Sequence, residues 1–140
     1  MDQIRRRRIL FLCTHNSSRS IMAEAIVNHM LGDRWEAFSA GTEPRGVNGL
    51  TVQVLHDMGI EIPTARSKHV DEFIGQQFDR VVTLCDDARE SCPVLPGAGK
   101  PEHFALPDPA AVEGNTEKKL RAFRNIRDKI REIIVIELLK

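Results

Sequence analysis

Cys13-Thr14-His15-Asn16-Ser17-Ser18-Arg19-Ser20 carries the clearest chemistry in the sequence. Cysteine and arginine are separated by five residues, and the stretch between them is polar and rich in Ser and Asn. Successive backbone N–H groups of such a loop, from Thr14 through Ser18, can encircle a tetrahedral oxyanion, and a helix opening at its end adds positive potential. Arg19 supplies a planar fork for two oxygens of the anion. The same field lowers the pKa of the Cys13 thiol, which makes a thiolate nucleophile at neutral pH, and Ser20 is placed to donate a hydrogen bond to it. The competing reading, a buried cysteine beside a chance arginine, gives way to the context of a strand before the loop and a helix after it.

That context is written in the apolar pattern. Ile9-Leu10-Phe11-Leu12 is a compact run suited to a central strand buried on both faces. After the loop, Ile21, Met22, Ala25, Ile26 and Met30 recur at helical spacing, with Gly32 where a C-terminal cap belongs. Trp35 to Ala40 reads as a second strand, and a helix from about Gly49 to Met58 follows, closed by Gly59. Arg80 to Leu84 is a third strand signal, His103 to Leu106 a short last one, and Leu120, Phe123, Ile126, Ile130, Ile133 and Ile134 mark an amphipathic closing helix from Thr116. Pro93 to Pro101 reads as a surface loop. Strands alternating with helices predict an α/β, three-layer, doubly wound fold on a parallel sheet, in one domain over residues 1–140. Sites in such sheets lie beyond the carboxyl ends of the strands, where Cys13, Cys85 and Asp108 all fall.

Composition narrows the function. Twenty Lys plus Arg balance 20 Asp plus Glu, so no whole-chain field favours nucleic acid or an anionic membrane. The run Arg5 to Arg8 is expected to be a solvated start to the first strand. Ile9 to Cys13 is far too short for a signal-peptide core, and no segment has the length of a transmembrane helix. The expected compartment is the cytoplasm, where three cysteines are catalytic, redox-active or metal-binding rather than structural. No Cys-x2-Cys or close Cys-His pair suggests zinc, so no metal site is assigned.

With the strand, the Cys-x5-Arg-Ser loop and the helix in place, the sequence resembles the low-molecular-weight phosphatase superfamily over nearly its whole length. Within it, Val82-Thr83-Leu84-Cys85 followed by Ser91-Cys92-Pro93-Val94-Leu95-Pro96 is similar to the redox segment of the thioredoxin-coupled arsenate reductases. Met22-Ala23-Glu24, Ser39-Ala40-Gly41-Thr42, Gly46-Val47-Asn48 and His103-Phe104 ahead of Pro107-Asp108-Pro109-Ala110 are also similar. The resemblance implies a four-stranded parallel sheet. It implies Asp108 as general acid, although an Asp-Pro pair alone is more often a turn. It further implies a relay in which Cys13 attacks arsenate, Cys85 attacks Cys13, and Cys92 attacks Cys85 to leave a disulfide for thioredoxin, with no organic cofactor and a monomeric protein. If Asp86 to Ser91 form a helical turn, seven steps of about 1.5 Å place the Cys85 and Cys92 Cα atoms roughly 10 Å apart. A disulfide tolerates about 7 Å, so the turn would have to unwind.

Two departures stand out. Ser18 replaces a further cysteine found in several relatives. Arg66-Ser67-Lys68 stands where some members help to hold a potassium ion with residues matching Asn16, Glu24 and Ser39, so a lysine would supply the charge directly. Two other classes stay open: a low-molecular-weight protein tyrosine phosphatase working through a phosphocysteine, and a non-catalytic oxyanion sensor. The absence of Tyr, with one Trp and six Phe, counts against an aromatic phosphotyrosine pocket.

Overall fold

The computed structural model describes residues 5–86, 94–98 and 100–138. Its centre is a four-stranded sheet in the order β2-β1-β3-β4, formed by β1 (Arg7–Leu12), β2 (Trp35–Ala40), β3 (Arg80–Thr83) and β4 (Glu102–His103). Every pairing is parallel. β1 takes the middle because Ile9, Leu10, Phe11 and Leu12 are apolar on both faces and all buried.

The two faces are covered differently. Ile9 and Phe11 pack with Met22, Ile26 and Val27 of α1 (Arg19–Met30), Val54 and Leu55 of α2 (Gly49–His56), and Phe123, Ile126, Ile130 and Ile134 of α3 (Thr116–Leu138). Leu10 and Leu12 face the other way, onto Val70 and Phe73 of a 3-10 turn (Val70–Phe73), Val81 and Leu95. Beside them Phe38, Phe73 and Phe78 meet edge to face, with ring centroids 5.7 to 5.9 Å apart.

Several sequence expectations shift by a few residues. The helix expected to reach Met58 ends at His56, since the Met58 and Gly59 amides close turns onto Leu55 and His56. Gly32 follows the capping residue Leu31 and is needed for room: a Cβ there would lie 2.4 Å from the Asn28 carbonyl oxygen. The strand expected over His103 to Leu106 is Glu102–His103, because the Leu106 carbonyl turns away to accept from Arg19. The arginine run is a largely solvated start to β1, as expected, with Arg5, Arg6 and Arg7 exposed and Arg8 half-buried. The Arg7 guanidinium stacks 4.5 Å from the Trp35 ring, and that of Arg8 lies 4.7 Å from both Phe38 and Phe78. No described helix is long and apolar enough to cross a membrane.

Candidate active site

Parallel register delivers the loop to the carboxyl edge of the sheet. Leu12 lies between Ala40 and Thr83, so Cys13 leaves the sheet beside Gly41 and Leu84. Its amide still bonds the Ala40 carbonyl at 3.2 Å, and the Leu84 amide bonds the Leu12 carbonyl at 2.9 Å. The loop presses so closely on the end of β2 that a Cβ on Gly41 would stand 2.4 Å from Thr14 O and 2.6 Å from Cys13 O.

Outward hydrogen bonds hold the carbonyls of the loop. Thr14 O accepts from Glu43 N at 2.9 Å, His15 O from Arg45 N at 3.1 Å, and Ser17 O from Asn48 N at 3.0 Å and Thr51 Oγ1 at 2.9 Å. Asn16 O accepts from the Ser67 hydroxyl, and Ser18 O from Met22 N at 2.8 Å. In a trans peptide the following N–H points opposite to the carbonyl. The amides of His15, Asn16, Ser17, Ser18 and Arg19 therefore turn to the concave side. Ser18 begins α1 without a side-chain cap, which leaves the positive end of that helix directed at the same point.

Two polar chains organise the interior. In the first, Lys68 N donates to Asn16 Oδ1 at 2.8 Å, so the other end of the amide, Nδ2, donates to Ser20 Oγ at 2.7 Å. Ser20 keeps its own O–H for the Cys13 sulfur, 2.8 Å away. Asn16 reaches this position in the left-handed region, with φ of 45°, where Asn is among the better tolerated residues. In the second, Arg19, only 1% exposed, donates from Nη1 to Leu106 O at 3.0 Å and Leu84 O at 3.3 Å. Its Nη2 lies 3.9 Å from Asp108 Oδ2. Asp108 in turn caps a 3-10 turn (Pro109–Ala111), its Oδ1 accepting from Ala110 N at 2.9 Å.

Thr14 to Ser20, Arg19 and Asp108 thus come together around one point, with Cys85 next in sequence to the Leu84 carbonyl that Arg19 holds. Cys13 is buried with a free thiol; Cys85 is buried and disulfide-bonded. Cys92 lies outside the described residues, as do residues 87–91 and the turn expected there. The sequence pattern did not reveal the carbonyls of Leu84 and Leu106 or the hydroxyls of Ser67 and Thr51, because backbone acceptors have no residue signature. Beside the loop lies a cavity of about 390 Å³ lined by His15, Arg45, Val47, Asn48, Asp108 and Ala111 among others, with no Phe, Tyr or Trp among the described residues.

Known proteins are similar to this chain in sequence and fold. An arsenate reductase of Bacillus subtilis (strain 168) is 43% identical over 122 residues, 87% of this chain and 88% of its own. The solved arsenate reductase from Archaeoglobus fulgidus superposes with a TM-score of 0.70 at 33% identity, covering 90% of this chain and 98% of that one. A thioredoxin-dependent arsenate reductase of Corynebacterium glutamicum superposes with a TM-score of 0.62 at 27% identity, over 96% of this chain and 64% of its own. The family model of the low molecular weight phosphotyrosine protein phosphatases matches residues 8–139, from β1 through the loop and Asp108 to the end of α3, and the chain belongs to that family.

Proposed function

We propose that the protein is an arsenate reductase, with Cys13 as nucleophile and a three-cysteine relay as the source of electrons. Arsenate sits against the loop amides from Thr14 through Arg19 and the Arg19 guanidinium. The Cys13 thiolate, held by Ser20, attacks arsenic, and Asp108 protonates the oxygen that leaves as water. The Cys85 thiolate then attacks the Cys13 sulfur. A Cys13–Cys85 disulfide forms as the sulfur–arsenic bond breaks, and its electron pair stays on arsenic, which departs as arsenite. Cys92 attacks Cys85, Cys13 is released as a thiolate, and thioredoxin reduces the Cys85–Cys92 disulfide by thiol exchange. We place the reaction in the cytoplasm, where thiols are kept reduced, and expect a monomer that needs no organic cofactor.

The observation that carries this reading is the Arg19 bridge. One buried guanidinium bonds the carbonyl preceding Cys85 and lies close to the Asp108 carboxylate, which supports a nucleophile, a second sulfur and an acid working together. The non-aromatic cavity beside the loop favours a small inorganic oxyanion over phosphotyrosine. The test is arsenate-dependent NADPH oxidation with thioredoxin and its reductase. Steady turnover supports the reading. No oxidation with arsenate, together with brisk hydrolysis of aryl phosphates, would make the protein a phosphatase.

A further inference from the structure

Behind the loop lies a partly buried polar cluster that the relay does not use. Lys68 Nζ stands 3.6 Å from Glu24 Oε1 of α1, 3.5 Å from Ser39 Oγ of β2 and 3.0 Å from the Arg66 carbonyl oxygen. Ser39 Oγ donates to the same Glu24 oxygen at 2.7 Å. The lysine side chain is 12% exposed and that of Glu24 20%. Burial raises the Glu24 pKa, and the Lys68 charge beside it pulls the other way, helped by the Ser39 hydrogen bond and by Arg66, itself paired with Glu72. His29 and Glu61 line the same cavity of about 710 Å³.

A carboxylate, a hydroxyl and a carbonyl converging on one point form a set of oxygen donors suited to a hard cation. Here the point is filled by an ammonium on the chain itself, so the potassium ion that some members of the family hold does not fit. The same lysine is fastened to the loop through its backbone: its amide holds Asn16 Oδ1, and its carbonyl accepts from Gly41 N at 2.9 Å. Asn16 holds Ser20, and Ser20 holds the Cys13 sulfur.

We infer that Lys68 is a positioning residue of the reaction, its ammonium serving as a built-in cation that pins residues 66–68 to α1 and β2 and thereby sets the Asn16–Ser20–Cys13 chain. Without that charge Glu24 is stranded, the segment loosens, and Ser20 no longer presents its O–H to the thiolate. The inference rests on Cys13 as the nucleophile, and its test reads Cys13 directly as well as turnover.

The experiment measures iodoacetamide alkylation of Cys13 by mass spectrometry, with Cys85 kept in its disulfide, and arsenate turnover in parallel. Lys68→Met should slow alkylation roughly tenfold at about pH 7. It should leave the rate unchanged at about pH 9.5, where a thiol ionises without help. Turnover should fall with it, and Lys68→Arg should retain both. Lys68→Ala opens room at the oxygen donors, so potassium chloride should raise its turnover above the level in choline chloride, while the wild type responds equally to both salts. If Lys68→Met does not fold, the double variant Glu24→Gln/Lys68→Met strands no charge and should show the same loss confined to low pH. Unchanged alkylation at about pH 7 in the folded variant, or a wild type stimulated by potassium as strongly as Lys68→Ala, overturns the inference. If the wild type reduces no arsenate yet the alkylation pattern holds, it is the proposed function that fails and the role of Lys68 that stands.

Discussion

Reducing arsenic from five-valent to three-valent takes two electrons, and one thiol cannot supply them without a second sulfur to form a disulfide. The nucleophile and its partners therefore separate by experiment. Cys13→Ser should abolish both arsenate reduction and hydrolysis of p-nitrophenyl phosphate, because both begin at that sulfur. Cys85→Ser and Cys92→Ser should each stop multiple turnover of arsenate in the thioredoxin-coupled assay but spare the aryl phosphate. If neither change affects arsenate turnover, the relay is wrong. As the proposed general acid, Asp108 permits a clean substitution. Asn keeps an oxygen to accept from Ala110 N, so Asp108→Asn should preserve the 3-10 turn and remove only the proton. Aryl phosphates with poor leaving groups should then lose about 10² in kcat, and activated ones much less. A uniform loss across the leaving-group series would argue against Asp108 as the acid.

At the scale of elements, the site depends on how closely the loop lies on the end of β2. Gly41→Ala puts a methyl group into the carbonyls of Thr14 and Cys13, and backbone cannot move aside as a flexible side chain does. Stability should fall by about 1–3 kcal/mol. The affinity for phosphate as a competitive inhibitor should weaken as well, because the displaced atoms belong to the proposed oxyanion loop. Urea unfolding and inhibition by phosphate check the two effects separately. A stable Gly41→Ala protein with unchanged phosphate affinity would show that the loop is not built on this contact.

Across the whole molecule, Arg80 fastens the sheet edge to the end of the closing helix. It bonds both Glu102 carboxylate oxygens on β4 and the Glu137 carbonyl at 3.0 Å on α3. The hydrogen bond from Arg80 holds the Glu102 pKa below its ordinary value; partial burial opposes it and the Arg80 charge adds to it. A carboxylate whose folded pKa is lowered stabilises the fold above its unfolded value, near 4.5, and loses that contribution as pH falls through the folded value. Glu102→Gln should therefore cost stability at neutral pH, about 1 kcal/mol or less because Glu102 is 40% exposed and screened by salt. The gap to wild type in urea unfolding should close in acid. A gap that persists at about pH 3 would mean that the loss is packing rather than charge.

Much of this protein was legible in the sequence because its signals are local. The apolar run of β1, the helical period of α1 and α3, and the Cys-x5-Arg spacing each lie within a few turns of chain, so the strand, the loop and the helix after it could be placed before any contact was known. The sequence also marked Asp108 and Lys68 as unusual, through the resemblance rather than through any pattern of their own. What it left open was every partner distant along the chain: the Leu84 and Leu106 carbonyls on Arg19, the fit of Gly41 under Thr14, and the closure of Lys68, Glu24 and Ser39 behind the loop. Hydrogen bonds to backbone carbonyls and contacts across about 30 to 90 residues carry no periodicity. Parallel register alone decided them, by bringing the ends of β1, β2 and β3 to one edge and the turns that follow them into contact.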